Sequence, residues 1–96
     1  MPQVRLTARA LADIDRTFDF LKDRGDGTAA EAVEAIVDAA AVLGRHPMIG
    51  RPVEASLREV VISWGSTGFV ALYRFLPRAD RVDVLAIRHQ RAAGFR

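Results

Sequence analysis

Ninety-six residues, half of them hydrophobic and about a quarter charged, suffice for one core of modest size and exclude the disordered class. The absence of cysteine excludes a disulfide framework and a thiolate metal site, and no apolar run is long enough to cross a bilayer as a helix. The N-terminus, Met1-Pro2-Gln3-Val4-Arg5, has no signal-like apolar region, so a single cytoplasmic domain over residues 1–96 is expected.

The formal net charge of +2 is unevenly distributed. Residues 1–44 hold four Arg and one Lys against six Asp and two Glu, a net −3, whereas residues 45–96 hold nine Arg against two Asp and two Glu, a net +5. Thirteen of the fourteen cations are Arg, whose planar fork suits carboxylates, phosphates and aromatic faces. A basic C-terminal half favours an acidic partner, either nucleic acid or protein.

Gln3-Val4-Arg5-Leu6-Thr7 alternates polar and apolar, the pattern of a short half-buried strand with Val4 and Leu6 inward. Thr7 is placed to cap a helix over residues 8–24. Along that helix Leu11, Ile14, Phe18 and Leu21 form an apolar stripe, while Asp13, Asp15, Asp19 and Asp23 fall largely off it and are expected to be solvated. Gly25-Asp26-Gly27 is a turn. Thr28 and Glu31 have capping-box spacing, which starts a second helix with Val33, Ile36, Val37, Ala40 and Leu43 inward. Gly44 and Pro47 mark its end, and the two helices make an antiparallel hairpin.

Residues 46–56 read as a loop carrying Pro47, Gly50 and Pro52. Within or beside it, Arg45, His46 and Arg51 are possible binding groups, and Met48-Ile49, like Trp64 beyond, are either a contact patch or packing residues. From Leu57 the period becomes two. Strands are expected over 57–64, 69–76 and 81–88, joined by turns at Gly65-Ser66-Thr67-Gly68 and Pro77-Arg78-Ala79-Asp80. The expected class is α+β in the order βααβββ, an antiparallel meander with the helical hairpin packed on one face.

No catalytic constellation stands out, and His46 and His89 are too few for a zinc site; no metal or cofactor is expected. A line of basic side chains remains: Arg74 in mid-strand, Arg88 at a strand end, and His89 and Arg91 just beyond. Side chains alternate across a strand, so only one of Arg88 and His89 is expected to share the face of Arg74. These groups make either an electropositive site or the solvated open face of a half-buried sheet.

The segment Trp64-Gly65-Ser66-Thr67-Gly68-Phe69-Val70-Ala71-Leu72-Tyr73-Arg74-Phe75 and the ending Val84-Leu85-Ala86-Ile87-Arg88-His89-Gln90-Arg91, in the βααβββ order, resemble the RelE/ParE family of bacterial toxins over nearly the whole chain. The resemblance implies a growth-arresting toxin of a type II toxin-antitoxin system, neutralised by a cognate antitoxin, of the kind associated with plasmid stabilisation. It implies one of two targets. RelE-like members cleave messenger RNA on the ribosome, with cations at positions that align here with Val61, Ser63 and Val70 and a C-terminal tyrosine that aligns with Phe95. In that reading His89, Arg88 and Arg74 are the catalytic candidates. ParE-like members inhibit DNA gyrase through protein contacts, and often end the last strand as Ala86-Ile87-Arg88-His89 does. The uncharged side chains at Val61, Ser63 and Val70 favour the gyrase reading, with Arg74, Arg88, His89, Arg91 and Phe95 as target-binding or nucleic-acid-binding residues. A non-toxic binding domain on the same fold is the third reading.

Overall fold

The computed structural model describes residues 1–25, 27–65 and 67–91. The elements in order are β1 (Gln3–Leu6), α1 (Ala8–Asp23), α2 (Ala29–Arg45), β2 (Arg51–Pro52), β3 (Leu57–Trp64), β4 (Thr67–Leu76), a single 3-10 turn (Pro77–Ala79) and β5 (Arg81–His89). They form one five-stranded sheet in the order β1-β5-β4-β3-β2. The expected meander β3-β4-β5 is antiparallel, and β1 joins it in parallel beside β5. The connection between β1 and β5 that this requires is long enough to contain the rest of the chain. The expected loop over 46–56 is corrected in one respect, because Arg51 and Pro52 pair with Glu59 and Arg58 as a short edge strand. Proline is tolerated there, since an edge strand needs no donor on its open side.

Both helices cover one face of the sheet. Ile14 of α1 and Ile36 and Leu43 of α2 meet Ile62, Phe69, Tyr73, Val82 and Val84, all buried, with Val4 and Leu6 packed against the same cluster. Between α2 and the sheet lies a void of about 10 Å³, lined by apolar groups including Leu43, Val60 and Ile62, too small for an organic ligand. No helix among the described residues is long and apolar enough to cross a membrane.

Several sequence expectations change here. Leu11 and Val37 are exposed rather than buried, because the inward face of α1 is rotated toward Ala10, Asp13 and Ile14 and that of α2 toward Ala32, Ile36 and Leu43. Asp15, Asp19 and Asp23 are solvated as expected, but Asp13 is buried. Thr28 makes no side-chain capping bond to α2. Gly44 does not end α2 but lies buried within its last turn, where an added Cβ would sit 3.2 Å from Val4 Cγ2 and 3.3 Å from Pro2 O. It is therefore a close-approach glycine between helix and β1.

Thr7 does cap α1. Its Oγ1 accepts from the Ala10 N–H at 3.2 Å and donates to Leu85 O at 3.1 Å. Thr7→Ala removes both bonds and should cost about 1–2 kcal/mol, seen as a fall of roughly 4–16 °C in thermal midpoint. An unchanged midpoint would mean that water takes over both contacts.

Candidate functional site

Cross-strand register assigns each candidate side chain to a face. Ile62, Phe69 and His89 lie in one row, as do Val60, Ala71 and Ile87, and these rows face the helices. Val61, Val70 and Arg88 form the adjacent row on the opposite, outer face. Arg74 shares that outer face, opposite Leu57 on β3 and Asp83 on β5. Arg88, not His89, is thus the strand-end group on the face of Arg74.

A β-bulge produces this phase. The β4–β5 register shifts between Leu72, opposite Ala86, and Tyr73, opposite Val84, which leaves Leu85 as the extra residue. A bulge reverses the inward and outward alternation beyond it. Val82 and Val84 point inward before it, Ile87 after it, and Arg88 is therefore turned outward.

The outer face is a mosaic of charge and apolar side chains. Arg88 Nη2 is 4.0 Å from Glu59 Oε2, and Arg51 Nη2 is 2.9 Å from Glu59 Oε1, so one carboxylate serves a cation from β2 and a cation from β5. Arg88 Nη1 also lies 3.4 Å from both His89 O and Gln90 O. Farther along, Arg81 holds Asp83 through Nε and Nη2 at 2.8 and 3.3 Å. Arg74 is half-buried, and its Nε has no hydrogen-bond partner among the described residues. Val70 opposes Arg88, and Arg74 follows Val70 four positions along β4, roughly 13 Å at the rise of a strand. The two arginines therefore stand at separate levels of the face, with Glu59 in register between them opposite Leu72.

His89 sits on the other side of the strand. Its ring packs edge-on against Phe69 with centroids 5.8 Å apart, and its Nδ1 accepts from the Arg91 N–H at 3.2 Å. Arg91 is exposed at the end of the described chain. Phe95 lies outside the described residues.

The positions where the resemblance to a nuclease calls for cations are on the outer face as well. Val61 and Ser63 are exposed, and Val70 is buried between Val61 and Arg88. Met48 and Ile49 are exposed, whereas Trp64 is half-buried, its ring centroid 5.9 Å from that of Phe69. The loop that carries Met48 and Ile49 is pinned from below. Tyr73 Oη accepts from Gly50 N at 2.8 Å and donates to Pro47 O at 2.9 Å, while Arg58 Nη1 donates to Gly50 O at 2.7 Å. Gly50 is required there, since a Cβ would fall 2.5 Å from Glu59 O and 2.7 Å from the Tyr73 ring. Among the described residues no cluster of three His, Asp or Glu side chains could hold a metal ion.

Sequence reasoning missed two carboxylates. Glu59 alternates with the inward Val60 and Ile62, so its outer-face position follows from the period of two, but its pairing with Arg88 depends on the bulge. Asp13 is adjacent to the inward Ile14, and the spacing of Ala10, Ile14 and Leu21 was the available signal that α1 turns this residue toward the core.

This fold, a helical hairpin on a small mixed sheet, is shared with chains of structures solved as toxin-antitoxin systems. The structure of the chromosomal ParDE system from P. aeruginosa superposes with a TM-score of 0.72 at 26% identity, covering 93% of this chain and 96% of that one. The RelBE2 complex of Mycobacterium tuberculosis, with a TM-score of 0.65 at 23% identity over 94% of this chain and all of that one, shows the same fold. So does the intact E. coli RelBE complex, with a TM-score of 0.61 at 14% identity over 91% and 94%. In sequence, the chain is 34% identical over 89 residues to toxin RelE3 of Caulobacter vibrioides, covering 93% of this chain and 95% of the relative.

The family model for the ParE toxin of the type II toxin-antitoxin system parDE matches residues 4–94, and the chain belongs to this RelE/ParE family of type II toxins.

Proposed function

We propose that residues 1–96 act in the cytoplasm as one ParE-like toxin unit, which arrests growth by binding DNA gyrase and is neutralised by a cognate antitoxin. The observation that carries the choice of target is the row Val61, Val70, Arg88 with Glu59 on the arginine. Cleavage of RNA requires cations gathered around one phosphate and an acid or base on the same side. Here the row next to Arg88 is apolar, a carboxylate engages Arg88, and His89 points to the opposite face. An exposed valine, a partly buried arginine and surrounding charges of both signs suit a protein surface, where a central arginine with an apolar surround is a common anchor. The antitoxin reading draws support from the similar structures, which are of toxin-antitoxin complexes or systems.

Induction of the chain alone should stop growth, and coexpression of the short protein encoded beside it should restore growth. Purified toxin should inhibit supercoiling by gyrase, and full supercoiling at saturating toxin would overturn the choice of target. A second reading, ribosome-dependent cleavage of mRNA, is favoured by His89, an exposed imidazole at the strand end whose Nδ1 accepts from the Arg91 N–H. Its mark would be codon-linked cuts in ribosome-bound transcripts that disappear with His89→Ala.

A further inference from the structure

We infer that Asp13 is a positioning residue for the basic end of β5: its buried carboxylate locks the bulge that decides which face Arg88 and His89 occupy. The inference rests on the reading of that end as target-facing, and the geometry is as follows. β1 accompanies β5 as far as Leu6 opposite Val84, and among the described residues the Thr7 N–H to Val84 O bond, 3.1 Å, is the last main-chain link on that edge. Among the described residues, no strand lies beside this edge from Leu85 onward. Instead, α1 supplies single atoms in the place of a strand. Thr7 Oγ1 donates to Leu85 O at 3.1 Å, and Asp13 Oδ2 accepts from the Ile87 N–H at 2.8 Å across 74 residues of sequence.

These two bonds grip the bulged residue and the second residue beyond it. Asp13 is 6% exposed, so no bulk water stands ready to replace it at a buried donor. Its carboxylate is itself held on α1 by Arg16, through Oδ1, and by Arg9 Nε at 3.8 Å from Oδ2. Both arginines are exposed while the acid is buried, an arrangement that keeps the carboxylate aimed inward. Loss of the bulge, which would slip the pairing of Arg88 and His89 against β4 by one residue, would exchange their faces, because the side-chain period of a strand is two. Asp13 touches neither side chain, yet it fixes the phase of both.

The test begins with the full wild-type chain. Nuclear magnetic resonance should detect a coupling across the hydrogen bond from the Ile87 amide nitrogen to the Asp13 carboxylate carbon; its absence would overturn the inference. Asp13→Ala should speed exchange of the Ile87 amide about tenfold or more while amides shared by β3 and β4 keep their protection. The same variant should shift the His89 ring signals away from their position beside Phe69 and abolish growth arrest. Asp13→Asn, whose amide oxygen can still accept, should restore the ring signature and the arrest. A folded Asp13→Ala chain with wild-type ring signals and wild-type arrest would overturn the inference. If the alanine variant does not fold, the asparagine variant decides: retained ring signals with retained arrest support the lock, and retained ring signals with lost arrest overturn it. Lost ring signals in a folded asparagine variant would overturn it too, since the accepting oxygen is retained there. The resonance measurements need no target, so a wild-type toxin that leaves gyrase active would refute the target while leaving the lock standing.

Discussion

Arg88→Ala should raise the toxin concentration that half-inhibits gyrase supercoiling by about thirtyfold or more, the effect of losing an interface anchor of about 2 kcal/mol. Folding should be nearly untouched. The Arg88–Glu59 contact is long, 4.0 Å, and partly exposed pairs contribute roughly 0–1 kcal/mol. Removing Arg88 also leaves Glu59 with Arg51 at 2.9 Å, so no carboxylate is stranded without a cation. A supercoiling titration set beside a thermal melt separates the two effects. Unchanged inhibition with an unchanged melt would place the gyrase contact elsewhere on the molecule.

Tyr73→Ala should remove much of the folding free energy. Tyr73 is fully buried at the centre of β4, and truncating a buried aromatic side chain typically costs about 3–5 kcal/mol. Its hydroxyl adds a second effect, because it both accepts from Gly50 and donates to Pro47. Domains of this size have only about 5–15 kcal/mol in total, so the alanine variant should be largely unfolded in mild urea. Tyr73→Phe isolates the hydroxyl and should cost about 1–3 kcal/mol, the penalty of leaving a buried donor and acceptor unmet. A phenylalanine variant within about 0.5 kcal/mol of the wild type would show that water satisfies Gly50 and Pro47 instead.

The loop held by Tyr73 illustrates how far local reading reaches. Pro47, Gly50 and Pro52 mark it as irregular, and they are punctuation that any sequence window shows. That Gly50 is indispensable follows only from the approach of Tyr73 and Glu59 in three dimensions. Gly44 teaches the same lesson from a helix, where a residue that reads as a terminator is instead a contact point for β1. Thr7 was legible as a cap because capping is a matter of four adjacent residues, but its second bond, to Leu85, joins opposite ends of the chain. Thr28 had the same signature and makes no side-chain cap bond, its own ψ of 6° lying outside the extended region that a capping residue adopts.

Composition and periodicity by themselves determined the α+β class, the helical hairpin and the three-strand meander, because each depends on hydrophobic spacing within a short stretch. The family was legible too, in contiguous segments of β4 and β5. Which face carries Arg88 was not. Counting by twos from Asp83, which lies beside Arg74, sends Leu85, Ile87 and His89 outward and Arg88 toward the core. The bulge at Leu85 reverses that order, and it is held by Thr7 and Asp13 from the far end of the chain. Only the tertiary structure decides the phase, because a bulge is stabilised by the groups that satisfy its edge, and those groups lie far away in sequence.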